Sequence, residues 1–329
     1  MNKALRFLIS SSLLLLFAPL LSGCNDSSAP GTGSDPAQAE GNTAPPGRLF
    51  GASFQTLNNP FFVDLGNGLQ KELAAHGDEL IILDAQFNSL KQKNDLSDLI
   101  LKDVAGIFVN PVNWEGLKGS LLEAQRKNVP IIIVDAPVKE SDEELIVCTV
   151  ASDNVRAGQL AAEALAKVNP KAKLVVLHLS VNKACIDRVA GFKETLQKYP
   201  DMEILDVQEA KGTTEGARPV MRDLIGRYPD LNAVFAINDP NALGVISALD
   251  SANKLDDVTI VTVDGSQAGI KAIQAGKLHS TSAQFPKEIG KIAAEKMLAH
   301  LNGEPVEKDV KVRVELITTE NAEQHLEAD

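Results

Sequence analysis

Aromatic side chains are scarce in this 329-residue chain: Phe, Tyr and Trp together make up 4% of it. Cysteine is scarcer, with three in all. The five histidines (His76, His178, His279, His300 and His325) are scattered, and no Cys-x-x-Cys occurs. The familiar zinc spacings are thereby excluded, and no metal or cofactor is expected. Also missing are a Gly-x-Ser-x-Gly elbow, a Walker A loop, a Gly-x-Gly-x-x-Gly fingerprint and His-Glu-x-x-His. Positive charge is in deficit as well. The net charge is -12, or -14 once Lys3 and Arg6 are set aside. Such a balance argues against nucleic acid and anionic headgroups as partners, and it keeps a secreted protein soluble.

The first residues supply what the body lacks. Lys3 and Arg6 precede a mostly apolar run, Phe7–Leu21, which ends in Leu21-Ser22-Gly23-Cys24. A basic head, a short apolar stretch and small residues before a break make a secretory signal. The run is too short for a comfortable span, which takes about 20 apolar residues. Leu-Ser-Gly-Cys also resembles the bacterial lipobox, which implies cleavage after Gly23 and lipidation of Cys24. Residues 24–46 are rich in Ser, Gly, Ala and Pro, without apolar periodicity, and are expected to form a disordered tether.

From Gly47 onward, short apolar runs alternate with amphipathic stretches. Strands are expected at Leu49–Ser53, Leu80–Leu83, Gly106–Val109, Pro130–Val134, Ile146–Val150, Leu174–Leu177, Glu203–Val207, Ala233–Ala236, Thr259–Val263 and Ser280–Ala283. Helices fill most of the gaps, with Trp114–Lys127 and Asn241–Ala252 among them. A charged loop is expected at Lys139–Glu144. Runs of four to six apolar residues read as strands buried on both faces, and this alternation implies right-handed βαβ units with parallel sheets. The body is long enough for two such α/β lobes.

In open parallel sheets the ligand sits beyond the carboxyl ends of the strands. Here those positions hold Gln55–Phe62, Asn110, Asp135, Asn238-Asp239, Asp264-Gly265 and Gln284. Asp239 reads as a helix cap; Asp135, followed by Ala136-Pro137, has no helix to cap. Carboxylates accept from adjacent hydroxyls, amides donate and accept, and aromatic faces cover the C–H face of a ring. The set suits a neutral polyhydroxylated ligand. Asp135 and Asp264 also imitate a glycosidase pair, but hydroxyl recognition is the simpler account, and no enzyme is expected.

Several segments in order carry a family resemblance: Thr56-Leu-Asn-Asn-Pro-Phe-Phe-Val63, Ala151-Ser-Asp-Asn-Val155, Ala233-Val-Phe-Ala-x-Asn-Asp239, Ala242-Leu-Gly244 and Val263-Asp-Gly265. They closely resemble the periplasmic ribose-binding protein family of ABC-importer binding proteins, from about Arg48 to about Ile317. The resemblance implies two doubly wound lobes joined by a three-segment hinge near Val150–Asp153, Ser282–Phe285 and Arg313–Glu315. The first lobe would comprise residues 47–151 and 285–313, the second 152–284 and 314–329. It further implies ligand contacts at Asn59, Phe61, Phe62, Asn110, Asp135, Arg188, Asn238, Asp264 and Gln284. Four positions depart from the family pattern. Gln55 replaces a Ser, Ala136 an Arg, and Gly212 and Val263 each a Phe. Gln55, Ala136 and Val263 are therefore second-tier contact candidates, and ribose itself need not be the ligand.

The expected protein is a monomeric, exported lipoprotein, in the periplasm or on the outer face of the cytoplasmic membrane. It would capture a sugar or polyol and deliver it to a membrane permease. Rival readings are a subunit that presents ligand to a chemoreceptor or histidine kinase, a sugar-acting enzyme, and a surface lipoprotein with an empty cleft. Cys148 and Cys185, expected in different lobes, read as buried free thiols, and Trp114 as a stray residue or an entrance residue.

Overall fold

The fold is that of a computed structural model that describes residues 47–326. The expected signal, the lipidated Cys24 and the tether lie outside them. The first strands and helices are β1 (Leu49–Phe54), α1 (Pro60–Ala75), β2 (Glu79–Asp84), α2 (Ser89–Leu101), β3 (Ile107–Val109), α3 (Lys118–Arg126), β4 (Ile131–Val134) and β5 (Cys148–Ser152). The chain then continues through α4 (Asn154–Val168), β6 (Lys173–His178), α5 (Lys183–Leu196), β7 (Glu203–Glu209), α6 (Thr214–Arg227), β8 (Ala233–Ala236) and α7 (Asp239–Ser251). It ends with β9 (Thr259–Asp264), α8 (Gln267–Gln274), β10 (Ser280–Ala283), α9 (Pro286–Leu301), β11 (Asp309–Val312) and β12 (Glu315–Ile317).

Two six-stranded sheets result, in the orders β11-β5-β4-β3-β1-β2 and β12-β10-β9-β8-β6-β7. The first is parallel throughout; in the second only β12 runs antiparallel, against β10. Alternation along each strand explains its unbroken apolarity. Ile132 and Val134 face a core with α1 and α9, while Ile131 and Ile133 face one with α2 and α3. In the second sheet Val234 and Ala236 pack toward α6 and α7, and Ala233 and Phe235 toward α4 and α5. Both faces are dry, so neither shows the polar alternation of a half-exposed sheet.

The chain passes between the sheets three times: from β5 to α4, from β10 to α9, and from β11 to β12. Two of the strands concerned, β11 and β12, are not among the expected strands; only Arg313–Glu315 between and beside them is expected, as crossing chain. Both are short edge strands with charged residues, which hide the apolar signal. The expected loop at Lys139–Glu144 winds into a 3-10 turn at Glu140–Leu145. The helix expected from Trp114 starts only at Lys118, because Asn113 Oδ1 accepts from Glu115 N–H and closes a turn there.

Helix starts are set by side-chain caps. Asn59, Asn88, Asp153, Asn182, Thr213, Asn238 and Ser266 each accept a backbone N–H from the first turn, contributing about 1 kcal/mol apiece. In the second lobe α4 and α5 cross almost backbone to backbone. A Cβ on Gly158 would lie 1.9 Å from Arg188 O, and one on Gly191 2.1 Å from Val155 O. This crossing sets where Arg188 stands. Gly158→Ala should therefore cost about 1–3 kcal/mol in urea unfolding. Gly226→Ala, with no atom within 4 Å of the added Cβ, should be neutral or stabilising by up to about 1 kcal/mol. Equal effects would contradict the close crossing.

Candidate functional site

The carboxyl ends of the two sheets face each other across a cleft. From the first lobe, Gln55, Thr56, Asn59, Phe61, Phe62, Phe87 and Asp135 line it; from the second come Leu179, Asn182, Cys185, Arg188, Gly212, Asn238 and Asp264, with Gln284 at the crossing from β10. The lobes touch directly. Asn182 Nδ2 donates to Gln55 Oε1 at 3.3 Å, and Trp114 N–H to Val181 O at 3.2 Å. About 30 Å³ remains free between them, which is one water's share of the liquid. A sugar ring needs several times that, so its entry requires the lobes to part.

In the first lobe, Asn59 caps α1, its Oδ1 accepting from Phe61 N–H at 3.0 Å. Pro60 at the first helical position fixes the entry. That start places Phe61 and Phe62 on the cleft wall, their rings edge-on at 5.1 Å. Asp135 follows β4 with φ of 66°, a left-handed conformation that Asp tolerates better than most residues. Its Oδ2 accepts from Asn110 Nδ2 at 2.9 Å. Asn110 does not line the cleft. Its carbonyl accepts from Gln92 Nε2 at 2.8 Å, and it works from behind, holding Asp135.

In the second lobe, two nitrogens of the Arg188 guanidinium hold it in place. Nε donates to Asn154 Oδ1 at 2.8 Å and Nη1 to Ile237 O at 3.1 Å, with Nη1 also 3.7 Å from Asp264 Oδ1. Asn238 caps α7 and donates Nδ2 to Gly212 O at 3.0 Å. Asp264 Oδ1 accepts from Gln284 Nε2 at 2.8 Å. Asp264 Oδ2 and Gln284 Oε1 are buried and have no hydrogen-bond partner. A buried carboxylate oxygen without a donor is costly, and a ligand hydroxyl would satisfy it.

Of the residues expected at the ligand, Asn110, Ala136 and Val263 are fully buried and do not line the cleft; Val263 alternates with Asp264 along β9 and packs into the core with α4 and α5. Asp239 does not cap α7, since Asn238 does; its carboxylate instead accepts from Ser266 and Thr281. Cleft residues that the sequence reading passed over are Phe87, Leu179, Asn182 and Cys185, while Thr56 falls within the expected Gln55–Phe62 segment. Gly212, read only as a departure from the family pattern, is on the wall too. Burial pushes the Cys185 thiol up to about 12, so it is inert. Cys148 is a second buried free thiol, in the other lobe. Trp114 lines a separate cavity of about 730 Å³ beside the β5–α4 crossing. A third cavity, of about 560 Å³, shares Phe61, Asp264 and Gln284 with the cleft.

Burial pushes Asp135 up to about 7; the like charge of Asp264 adds to this, while Arg188 and Asn110 oppose it. Burial also raises Asp264, against the pull of Arg188, Gln284 and Asn59, the last reaching from the first lobe. Opening the cleft to water would remove the burial that raises Asp135 and bring its carboxyl down toward the ordinary range. Between about pH 4 and 7 the closed form therefore binds more protons, so closure is favoured as pH falls and opposed as it rises. Small-angle scattering of the ligand-free protein should show a smaller radius of gyration at pH 5 than at pH 8. Asp135→Asn should flatten that dependence; an unchanged dependence in the variant would contradict the assignment.

Comparison with known proteins completes the description. The model of the periplasmic binding protein domain matches residues 50–305. The chain is 34% identical to the ribose import binding protein of Bacillus subtilis (strain 168) over 270 residues, covering 82% of this chain and 86% of that one. Among solved structures, it is similar to the periplasmic binding component of an arabinose ABC transporter from Shewanella sp. ANA-3, bound to α- and β-L-arabinofuranose. That likeness has a TM-score of 0.79 and 28% identity, covering 84% of this chain and 93% of that one. It is also similar to an ABC-transporter solute-binding protein from Bacillus halodurans C-125 with bound myo-inositol. There the TM-score is 0.78 and the identity 28%, with 85% and 97% of the two chains covered. The chain belongs to the periplasmic binding protein family, in its sugar-binding branch.

Proposed function

We propose that this periplasmic binding protein captures a monosaccharide or related polyol by hinge closure and presents it to the permease of an ABC importer. The carrying observation is the facing set of Asp135 on one lobe and Arg188, Asn238 and Asp264 on the other, beside the Phe61 and Phe62 rings. Hydroxyls satisfy carboxylates and amides from both sides only when the lobes are shut, so the ligand stabilises the closed state by its differential contacts. The relatives include a ribose import binding protein and solute-binding proteins holding an arabinofuranose and myo-inositol, a range that fits one polar frame with variable walls. The charged groups of the cleft are each held by a polar partner, Asp135 by Asn110, Arg188 by Asn154 and Asp264 by Gln284, an arrangement that suits binding.

The substrate is not assigned as ribose. Arg188 is the one guanidinium among the lining residues, and Gly212 leaves the wall without a ring where the family pattern has Phe. The Leu-Ser-Gly-Cys24 segment supports export and lipid anchoring, with the protein acting outside the cytoplasm as a monomer.

A thermal-shift panel of pentoses, hexoses, polyols and nucleosides on the 47–329 fragment, refolded to strip carried-over ligand, tests this reading. The expected result is a raised midpoint with a subset of these compounds, equivalent to about 2.7 kcal/mol at a hundred times the Kd. Asp135→Asn and Gln284→Ala should each weaken the best binder about tenfold or more. No shift with any compound would overturn the sugar reading.

A further inference from the structure

Asp264 holds an unusual backbone. Its φ is 135° and that of Gly265 is 73°. Non-glycine residues in such regions cost about 1–3 kcal/mol and persist only where their surroundings hold them. The holding group lies behind the cleft wall. Asp239, 1% exposed, turns both carboxylate oxygens toward the turn after β9. Its Oδ2 accepts from Ser266 N–H and from Ser266 Oγ–H, both at 2.7 Å. Its Oδ1 accepts from Thr281 Oγ1–H at 2.9 Å, and Thr281 Oγ1 in turn accepts from Gly265 N–H at 3.0 Å. Both amides that follow Asp264 are thus pinned to one buried carboxylate, directly or through Thr281. Ser266 Oγ also caps α8 at Gly269 N–H, so the clamp ties the turn to the start of that helix.

We propose that Asp239 is a positioning residue for ligand binding: it clamps the Asp264–Ser266 turn so that the Asp264 carboxylate faces the cleft. The inference rests on the sugar-binding reading only in making Asp264 a ligand contact. A buried charge beside Asp264 is unfavourable for both groups, and burial together with Asp264 raises the Asp239 carboxyl above its ordinary range. An apolar group in its place would leave the Ser266 and Thr281 donors without an acceptor. The three accepted hydrogen bonds are what the carboxylate adds.

The test compares wild type with Asp239→Asn and Asp239→Ala. D-ribose, L-arabinose, D-fructose, xylitol and myo-inositol are the probes, each measured by calorimetry well below the melting temperature of every variant. Amide hydrogen exchange is followed in parallel on the ligand-free proteins. Asn keeps an oxygen for the Ser266 donors and an amide for Thr281, so it should bind the best probe within about threefold of wild type. Ala should lose about tenfold or more. In the Ala variant, exchange at Gly265 and Ser266 should accelerate at least about tenfold while β8 amides stay protected, as local opening requires. An Ala variant that binds as wild type does, or exchange that rises equally across the second lobe, would overturn the proposal. If wild type binds no probe, the sugar reading fails for these compounds, and the exchange pattern alone decides whether Asp239 clamps the turn.

Discussion

Burying Asp135, Arg188 and Asp264 in one closed cleft is the constraint on which the rest of the structure depends. Isolated charges do not enter a protein interior without partners. Here each lobe would carry an incompletely compensated site if it stood alone. Asp135 has Asn110 behind it but meets the charge of Arg188 only across the cleft, whereas Arg188 has Asn154, Ile237 O and, 3.7 Å away, Asp264 within its own lobe. Closure therefore exchanges hydration for a set of contacts still short of donors at Asp264 Oδ2. A polyhydroxylated ligand is the kind of molecule that completes such a set. A purely apolar ligand would leave the carboxylates dry and unpaired.

The hinge and the site share residues, which ties movement to recognition. Asn154 opens α4 directly after the β5 crossing, and its Oδ1 orients Arg188. Gln284 sits in the β10 crossing and holds Asp264. At the third crossing the Arg313 guanidinium lies 3.8 Å above the Phe285 ring, joining it to the second. Asn154 and Gln284 thus belong both to the crossings and to the polar frame of the cleft.

Much of this was legible in the sequence because parallel sheets leave a plain signature. The runs at Ala233–Ala236 and Ser280–Ala283 are strands over those same residues. The rule that ligands gather beyond strand carboxyl ends drew attention to Gln55, Asp135, Asn238, Asp264 and Gln284, and the structure gathers these around one cleft. What escaped was set by tertiary contact. Asn182 reads as an ordinary cap of α5, and only the closed arrangement brings its amide to Gln55. Asp239 sits beside a better cap, Asn238, and its true partners are 27 and 42 positions away. Val263 sits next to a contact position, yet side chains on a strand alternate between faces, and Val263 is turned into the core. β11 and β12 pair at sheet edges, where charged residues mask the strand pattern.

The central claim is that one small hydroxylated molecule is held by both lobes at once. A crystal structure of the protein with the compound that stabilises it most tests this directly. The account predicts hydroxyls within hydrogen-bond distance of Asp135 from the first lobe and of Asp264 and Arg188 from the second, with a ring face against Phe61 or Phe62. A compound seated in the cavity beside Trp114, or touching one lobe alone, would contradict it.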